Sequence, residues 1–365
     1  MLSRPEPACL VIADISGYTV FLAGSELDHA QDILGDLMAT VVGSFRGRFK
    51  LAKLEGDAAF AYALTDQLDA STFLDALETT YFAFRRRLRD IRQATSCTCN
   101  ACRLIPNLDL KLVAHHGVVV RQRLAGREEL VGSDVIVVHR LLKNRVVEEL
   151  GISAYALLTP ACVEAMGVEP ERLGLTAHRE AVDVLGETTL WVRDLGAAWE
   201  AELGRTRVVV DPAAAIAFRR SVRLAPAEAW DYLTTPGLRP SWQAGVLEVI
   251  EEVPATARRG VGTTNHCVHG ATAVVEEVLD WRPYEYVTLR STLPVPGAPK
   301  LRSMIALVPL EGETEVTFYL ERPKGAKAAA AAGPLLDGYL ASLAASFDGL
   351  DGQLAAEAAE ADATA

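Results

Sequence analysis

The stretch IADISGYTVFL, residues 12–22, decides the fold of the first half of this chain. Apolar residues lead up to Asp14, and a glycine-containing turn then opens a segment with helical spacing. A carboxylate at the end of a buried strand, beside the first N–H groups of a helix, is a suitable place for a metal-bound phosphate. The alternative is that Asp14 only caps the turn, and this segment alone leaves both interpretations open.

A second acidic turn lies downstream in KLEGDAAFAY, residues 53–62. Gly56 and Asp57 join two predicted strands there, and we expect Asp57 to lie beside the end of the strand that carries Asp14. Two carboxylates so placed favour a site for two Mg²⁺ or Mn²⁺ ions, because such ions prefer oxygen ligands and leave positions for substrate phosphates. A Gly-Asp turn alone is common in hairpins, so only the two segments together make the pattern specific.

Outward from these segments, the apolar spacing predicts alternating strands and helices. Strands are expected over 9–13, 49–64 (two, around the acidic turn) and 110–121, and helices over 24–46, 71–92 and 134–150. Helices packed on a sheet in this order predict an α+β domain. A linker is expected near 200–206. It is followed by a strand over 208–224, a helix over 226–234, several strands over 246–318, a helix over 328–354 and a frayed end.

Composition limits the function classes. A chain of 365 residues predicts two domains, and 50% hydrophobic with 23% charged residues is typical of folded proteins. The net charge of -12 argues against broad nucleic-acid binding, which needs a basic face. We expect no secretory signal and no transmembrane segment. Three of the six cysteines cluster, unlike a disulfide framework, so a cytoplasmic protein is expected.

DISGYT at residues 14–19, followed by K-x-x-G-D at residues 53–57, resembles the pattern of class III adenylate and guanylate cyclases. The resemblance implies a ferredoxin-like cyclase sandwich over residues 1–200. It implies that Asp14, the Ile15 carbonyl and Asp57 bind two metal ions and that Lys53 contacts the base. Such a domain would convert a nucleoside triphosphate to a 3′,5′-cyclic nucleotide and pyrophosphate. Its sites would form across a head-to-tail homodimer.

The segment HHGVVVRQRLAGREELVGSDVIVVHRLLKN, residues 115–144, resembles the family's later strand, glycine turn and helix. Alignment on the glycine of that turn assigns Arg140 to the transition-state arginine and Glu129 to base recognition. The same alignment places Ile136 where the family has an asparagine that orients the ribose or the reacting phosphate. Asn144, one helical turn beyond Arg140, would substitute only in a shifted helix. A catalytically inactive nucleotide-binding or dimerisation module therefore stays as the alternative.

The cysteine segment CTCNAC, residues 97–102, has two interpretations. Cys97, Cys99 and Cys102 suit one Zn²⁺ ion, because thiolates favour soft metals. A structural zinc site wants a fourth ligand, for which His115 and His116 are the candidates. Buried or redox-active thiols are the alternative, and structural roles are favoured for the histidines. The segment is an insertion relative to typical cyclases, and it resembles a bacterial cyclase-like family of unassigned function.

Residues 207–356 resemble the helix-grip family, also called START-like, SRPBCC or polyketide cyclase and dehydrase-like. The resemblance rests on three segments and a long final helix: LAPAEAWDYLTTPGLRPSWQAGV from 224, GVGTTNHCVHG from 260 and EEVLDWRPYEYVTL from 276. It implies a curved antiparallel sheet around an apolar cavity for a lipid or other hydrophobic small molecule. Trp230, Trp242 and Trp281 either line this cavity or serve in packing, and packing is favoured.

Three hypotheses follow from the whole sequence. The first is a metal-dependent nucleotidyl cyclase whose output is tuned by a hydrophobic ligand. The second is a nucleotide-binding pseudo-cyclase with a regulatory role. The third is a lipid or polyketide carrier whose cyclase-like half only dimerises.

Overall fold

The computed structural model describes residues 4–94, 97, 99–124, 126–292 and 300–364. The chain divides into two compact units, Met1–Arg205 and Thr206–Ala365. Each unit contains one large sheet with helices, which confirms the predicted α+β class. None of the helices in these ranges combines the length and the apolar character needed to cross a membrane.

The first unit alternates strands and helices. Its strands are β1 (Pro5–Ser16), β2 (Lys50–Glu55), β3 (Ala58–Leu64), β4 (Asp109–Leu124), β5 (Arg127–Val131), β6 (Tyr155–Leu158), β7 (Thr176–Val182) and β8 (Gly186–Asp194). Its helices are α1 (Tyr18–Gly24), α2 (Leu27–Phe45), α3 (Ala70–Ala94), α4 (Asn100–Leu104), α5 (Ser133–Arg140), α6 (Val146–Leu150), α7 (Pro160–Met166) and α8 (Leu195–Gly204), with short 3-10 turns at Ile105–Asn107 and Pro170–Leu173.

The sheet of this unit has the strand order β2-β3-β1-β4-β6-β8-β7, and β5 pairs with β4. Strand β1 lies between β3 and β4 and is antiparallel to both. Its residues 8–13 are all fully buried, which is why that stretch reads as an unbroken apolar run. The unbroken burial ends at the half-buried Asp14, so the first carboxylate of the predicted site lies near the end of this strand.

Several predicted helices and the predicted linker have different boundaries in the structure. The helix expected over 24–46 is α2, and a separate short helix, α1, precedes it; the helix expected over 134–150 divides into α5 and α6. The expected linker is helical as far as Gly204, because Asp194 caps α8 and residues such as Ala, Glu and Leu favour helix. The end of the chain, expected to fray, is helical to Thr364.

The second unit is an antiparallel sheet with a long final helix. Its elements are β9 (Ile216–Val222), α9 (Pro226–Thr234), α10 (Arg239–Trp242), β10 (Glu248–Glu252), β11 (Thr264–His269), β12 (Thr272–Arg282), β13 (Tyr286–Thr292), β14 (Leu301–Pro309), β15 (Thr314–Leu320) and α11 (Ala326–Thr364). The strand order is β10-β11-β12-β13-β14-β15-β9. Helix α9 has the predicted bounds, with Pro226 in its first turn, whereas β9 is shorter than expected.

Aromatic residues fill the space between this sheet and α11. Trp230, Trp242 and Trp281 are all buried in one apolar cluster with Phe347 of α11, and the rings of Trp230 and Trp281 meet edge to face at 4.8 Å. A cavity of about 200 Å³ remains between α11 and the sheet. Its lining includes Leu301, Leu336 and Tyr339 together with the polar residues Cys267, His269 and Glu276. None of the three tryptophans lines this cavity, but Trp242 and Trp281 line a smaller cavity of about 30 Å³ that shares Glu276 and Tyr339 with it. Packing is thus the main role of the tryptophans, as favoured.

Gly17, directly after the Asp14 strand, adopts a conformation that other residues rarely tolerate. Its φ is 84°, and a Cβ here would lie 2.5 Å from the carbonyl oxygen of Asn107. We expect Gly17→Ala to lower the free energy of unfolding by about 2 kcal/mol or more, from the left-handed backbone and the clash together. Thermal unfolding of the full chain measures this.

Gly35→Ala is the matched control, because Gly35 lies inside α2 with nothing within 4 Å of an added Cβ. This substitution is expected to stabilise the protein by about 0.5–1 kcal/mol. A shift of the same sign and size in both variants would contradict the proposed constraint at Gly17.

Candidate metal and nucleotide site

Asp14 and Asp57 meet at one edge of the first sheet. Asp14 is in register with Ala58 of β3, and Asp57 is the residue immediately before Ala58. The Ile15 N–H donates a 3.1 Å hydrogen bond to the Asp57 carbonyl oxygen, which ties the acidic turn to the end of β1. Gly56 supplies the positive φ of 71° that the turn requires. The structure thus brings together the two carboxylates that the sequence paired.

The electrostatics of this edge favour a cation. Burial raises the pKa of the Asp57 carboxyl, and the nearby charge of Asp14 raises it further. The carboxylates of Asp14 and Asp57 therefore repel each other when both are ionised. A divalent ion between carboxylate oxygens would relieve that repulsion, since Mg²⁺ and Mn²⁺ take oxygen ligands.

Lys111 is a third charged residue at this edge, and sequence reasoning missed it. It is in register with Asp14 across β1 and β4, and its Nζ lies 3.0 Å from Asp14 Oδ2. Only 21% of the Lys111 side chain and 16% of the Asp14 side chain are exposed, so the pair is weakly screened by solvent. Two carboxylates and the Ile15 carbonyl fit a divalent cation by donor chemistry. Such an ion would compete with the Lys111 ammonium for the charge of Asp14.

The two base-contact candidates lie on β2 and β5, which pair with different strands of the sheet. Lys53 is exposed on β2, with its Nζ 3.7 Å from Glu55 Oε1, and Glu129 is half-buried on β5. A salt bridge of 2.7 Å between Lys50 and Glu128 joins these two strands. Lys53 can donate hydrogen bonds and Glu129 can accept them, and recognition of the edge of a base uses both kinds of group.

Arg140 and Ile136 lie on α5, one turn apart, and both are exposed. The Arg140 Nη1 is 3.7 Å from the carboxylate of Asp183. Among the residues that the structure describes, Arg140 therefore forms its ion pair with Asp183 and not with Asp14 or Asp57. Ile136 is 54% exposed and offers no polar atom where an asparagine was expected.

Asn144 does not replace that asparagine, because the loop between α5 and α6 already uses its amide. Its Nδ2 donates to the Leu141 carbonyl at 2.7 Å. Its Oδ1 accepts from the Val146 N–H at 3.1 Å and from the Tyr155 hydroxyl at 2.9 Å. The shifted-helix alternative is therefore wrong, and this capping role explains why the predicted helix is interrupted.

A buried polar chain positions the start of α5. Asp134 accepts the Val118 N–H at 2.7 Å, and its other oxygen lies 3.1 Å from His115 Nε2. His115 Nδ1 lies 2.9 Å from Thr159 Oγ1. Burial lowers the pKa of His115, against the opposing effect of Asp134. Gly117 is the sequence signal for this contact, since a Cβ there would lie 2.4 Å from the Asp134 carboxyl carbon.

The cysteine segment gathers a different histidine from the two expected. One ligand atom from each of Cys97, Cys99, Cys102 and His29 lies within 4.8 Å of the others. His115 is bonded as described above, and His116 Nε2 lies 3.0 Å from the Thr65 carbonyl oxygen, so neither is the fourth member. The expectation of His115 or His116 is thus corrected to His29, which no local pattern connects to the cysteines.

Hydrogen bonds shift the proton affinities within this cluster. The contact between His29 Nδ1 and Cys99 Sγ, 3.2 Å long, raises the pKa of the imidazole. The Cys99 N–H donates to Cys97 Sγ and lowers the pKa of that thiol, whereas burial raises the pKa of Cys102 to about 11. A Cys/His cluster of the kind that binds metal is therefore present.

Two family profiles match separate parts of the chain. Residues 34–149 match a family described as a protein of unknown function (DUF2652). Residues 213–348 match polyketide cyclase / dehydrase and lipid transport, which confirms the START-like assignment of the second unit.

Solved structures similar in fold to the first half are nucleotide cyclases. A bacterial light-regulated adenylyl cyclase is 14% identical with a TM-score of 0.41, and the match covers 53% of each chain. The guanylyl cyclase Cya2 is 14% identical with a TM-score of 0.41, over 53% of this chain and 93% of that one. The adenylyl cyclase CyaB from P. aeruginosa is 14% identical with a TM-score of 0.37, and the match covers 53% of this chain and 97% of that one. The chain spans about half the length of the light-regulated cyclase. Likenesses this distant assign no ligand and no reaction.

A closer relative comes from Mycobacterium tuberculosis (strain H37Rv). The two chains are 34% identical over 162 residues, which is 44% of this chain and 73% of the relative. This chain therefore belongs to the same family as the uncharacterized protein Rv2561/Rv2562.

Proposed function

We propose that the first unit is a metal-dependent nucleotidyl cyclase, which converts a nucleoside triphosphate to a 3′,5′-cyclic nucleotide and pyrophosphate. The observation that supports this most directly is the meeting of Asp14 and Asp57 at one sheet edge, with the pKa of Asp57 raised by burial and by Asp14. Together with the Ile15 carbonyl, they are the residues that would hold two Mg²⁺ or Mn²⁺ ions. When bound, these ions would activate the 3′-hydroxyl and neutralise phosphate charge.

The residues of the chain itself have separable roles in this proposal. Asp14 and Asp57 fix the position of the triphosphate through its cations. Lys53 and Glu129 read the base, one as hydrogen-bond donor and one as acceptor. Lys111, once displaced from Asp14, remains close to the bound phosphates as a neutralising charge. Arg140 stabilises the negative charge that develops at the α-phosphate during in-line attack.

A head-to-tail homodimer completes the site in this proposal. Arg140 is exposed on α5 and pairs with Asp183 in its own subunit rather than with the metal-site carboxylates. Each complete site would then combine Asp14 and Asp57 of one subunit with Arg140 of the partner subunit. The exposed apolar side chain of Ile136, one turn before Arg140, suits burial in such an interface.

Complementation between two inactive variants tests this arrangement. Asp57→Ala and Arg140→Ala are each expected to lack activity alone. Mixed in equal amounts under conditions of subunit exchange, they should recover about a quarter of the wild-type rate, because half of the dimers then carry one intact site of two. Cyclic nucleotide formation measures this, and Asp57→Ala mixed with Asp14→Ala is the matched control expected to recover nothing. No recovery in the mixture of Asp57→Ala with Arg140→Ala would contradict the shared site, and activity of Arg140→Ala alone would remove Arg140 from the reaction.

A second candidate function, nucleotide binding without turnover, is favoured by Ile136 and Lys111. Ile136 cannot hydrogen-bond a ribose or phosphate, and Lys111 already neutralises Asp14. The deciding experiment is a product assay with each of the four ribonucleoside triphosphates in Mg²⁺ or Mn²⁺, beside metal-dependent nucleotide binding by calorimetry. Binding with no cyclic product from any triphosphate would replace the enzyme by a regulatory pseudo-cyclase.

For the second unit we propose binding of a hydrophobic small molecule or lipid, which tunes the first unit. The cavity of about 200 Å³ is enclosed by Leu301, Leu336 and Tyr339, and Glu276 supplies a polar end. A ligand with an apolar body and one polar group fits this lining. Native mass spectrometry of the purified chain would reveal a co-purifying ligand. Such a ligand without any nucleotide binding would favour the carrier hypothesis, in which the cyclase-like half only dimerises.

A further inference from the structure

The cluster of Cys97, Cys99, Cys102 and His29 lies outside the proposed reaction. It draws on three parts of the first unit: His29 near the start of α2, Cys97 beyond the end of α3, and Cys99 with Cys102 at the start of α4. All four ligand atoms lie within 4.8 Å of one another. Residues so distant in sequence rarely converge on one point by chance, so the convergence needs a physical reason.

The donor set fits zinc. Three thiolates and one imidazole form one of the usual structural zinc sets, with tetrahedral geometry. In such a site the ligand atoms lie about 3.5–3.8 Å apart, as follows from Zn–S and Zn–N bonds of about 2.3 and 2.0 Å. His29 Nδ1 and Cys99 Sγ are already 3.2 Å apart. Small side-chain rotations therefore bring all four atoms to bonding distance of one ion.

Further contacts hold α4 at the start of α2. The carboxylate of Glu26, just before α2, accepts the N–H of Asn100 at 3.3 Å and the N–H of Ala101 at 3.1 Å. These bonds fix the backbone that carries Cys99 and Cys102 beside the helix that carries His29. These hydrogen bonds therefore position the ligands before any ion binds, as hydrogen bonds from surrounding groups do in other metal sites.

We propose that Cys97, Cys99, Cys102 and His29 form a structural Zn²⁺ site that joins α2, the end of α3 and α4. Four protein ligands leave no open coordination position, which is the mark of a structural rather than a catalytic zinc. The site stands independently of the proposed cyclase reaction.

The same segment supports the turn that follows Asp14. Leu104 at the end of α4 packs so tightly on α1 that a Cβ at Gly24 would lie 2.9 Å from its Cδ1. The Asn107 carbonyl, in the 3-10 turn after α4, makes the still closer approach to Gly17 described above. By holding α4 in place, the zinc site would hold the backbone next to Asp14 and Ile15 as well.

Metal content of the full chain tests the site. The protein is purified in reducing buffer, and zinc is measured by mass spectrometry against protein concentration. We expect one zinc per wild-type chain, and a zinc affinity more than about 100-fold weaker in Cys102→Ser and in His29→Ala, since even outer partners of a metal site contribute 10–100-fold. His29→Cys is expected to retain zinc, because it keeps four ligands. Cys162→Ala, which removes a buried thiol outside the cluster, is the matched control and should keep one zinc.

Cobalt titration of metal-free wild-type protein gives a second readout that does not depend on any variant folding. Thiolate-to-cobalt charge transfer and the intense visible bands of tetrahedral Co²⁺ are expected, and zinc should abolish both. Wild-type protein that takes up neither zinc nor cobalt would overturn the proposal. So would a disulfide among Cys97, Cys99 and Cys102 in protein prepared under reducing conditions, and unchanged zinc affinity in His29→Ala would remove His29 from the site.

Discussion

Replacing Asp57 by asparagine is expected to abolish metal-dependent turnover while leaving the metal-free protein at least as stable as the wild type. The loss of activity should be about 100-fold or more, because a catalytic metal supplies several kcal/mol of charge stabilisation. The expected stability of the metal-free Asp57→Asn variant follows from the raised pKa of Asp57 in the wild type. Burial and Asp14 disfavour its ionised form, so the metal-free fold loses stability as pH rises from the unfolded to the folded pKa of this carboxyl. Asparagine removes that destabilisation at neutral pH.

Thermal unfolding with and without Mn²⁺ and a nucleoside triphosphate separates this result from misfolding. The wild type should gain stability from the Mn²⁺–triphosphate complex by mass action, whereas Asp57→Asn should not respond. Asp66→Asn is the matched control, since Asp66 is an exposed carboxylate away from the site edge, and it should behave as the wild type. An ion-dependent shift of equal size in Asp57→Asn would exclude Asp57 as a metal ligand.

Truncation of Glu276 is expected to destabilise the second unit by about 3–5 kcal/mol, because it leaves Arg239 buried without its charge partner. The two side chains are 10% and 8% exposed, and an Arg239 nitrogen donates to Glu276 Oε2 at 2.6 Å. Burial alone would raise the pKa of Glu276, but the charge and hydrogen bonds of Arg239 outweigh it and lower that pKa. The pair therefore contributes its stability above the ordinary glutamate pKa, and this contribution is lost as pH falls. Urea unfolding of the full chain, followed by tryptophan fluorescence, measures the effect of Glu276→Ala.

The neighbouring residue supplies the control for this prediction. Glu277 lies on the same strand and pairs with Arg290 at 2.5 Å, but both side chains are 42% exposed. Glu277→Ala is therefore expected to change stability by only about 0.2–1 kcal/mol. A double variant with Arg239→Met and Glu276→Leu should regain most of the lost stability, as apolar replacements of buried ion pairs commonly do. Equal effects of Glu276→Ala and Glu277→Ala would contradict the argument.

The sequence correctly predicted the features that depend on residues close together along the chain. The apolar run before Asp14 predicted the buried strand β1, because a strand buried on both faces reads as continuous apolar sequence. The Gly56–Asp57 turn was predicted with its flanking strands, since glycine at positive φ between two apolar segments is typical of a hairpin. The α9 helix was predicted with its observed bounds, and its start is stabilised by Pro226 in the first turn and by Glu228, which accepts the Ala225 N–H.

Sequence reasoning failed where the structure depends on register between distant strands or on convergence of distant segments. Lys111 reaches Asp14 only because β1 and β4 pair in one particular register, and no local pattern specifies that register. His29 joins the three cysteines only after α2, α3 and α4 have packed together. Asn144 was read as a helical residue because its neighbours are helical by pattern, whereas its side chain ends one helix and caps the next.

The contact between Lys111 and Asp14 has a consequence for the order in which ligands bind. The lysine is a tethered cation that already neutralises Asp14, so a lone divalent ion gains little by competing with it. A triphosphate brings its own ions and also offers the displaced ammonium a new anionic partner. The nucleotide and its metal are thus expected to enter as one complex, and occupancy should follow the concentration of that complex rather than the concentration of uncomplexed Mg²⁺.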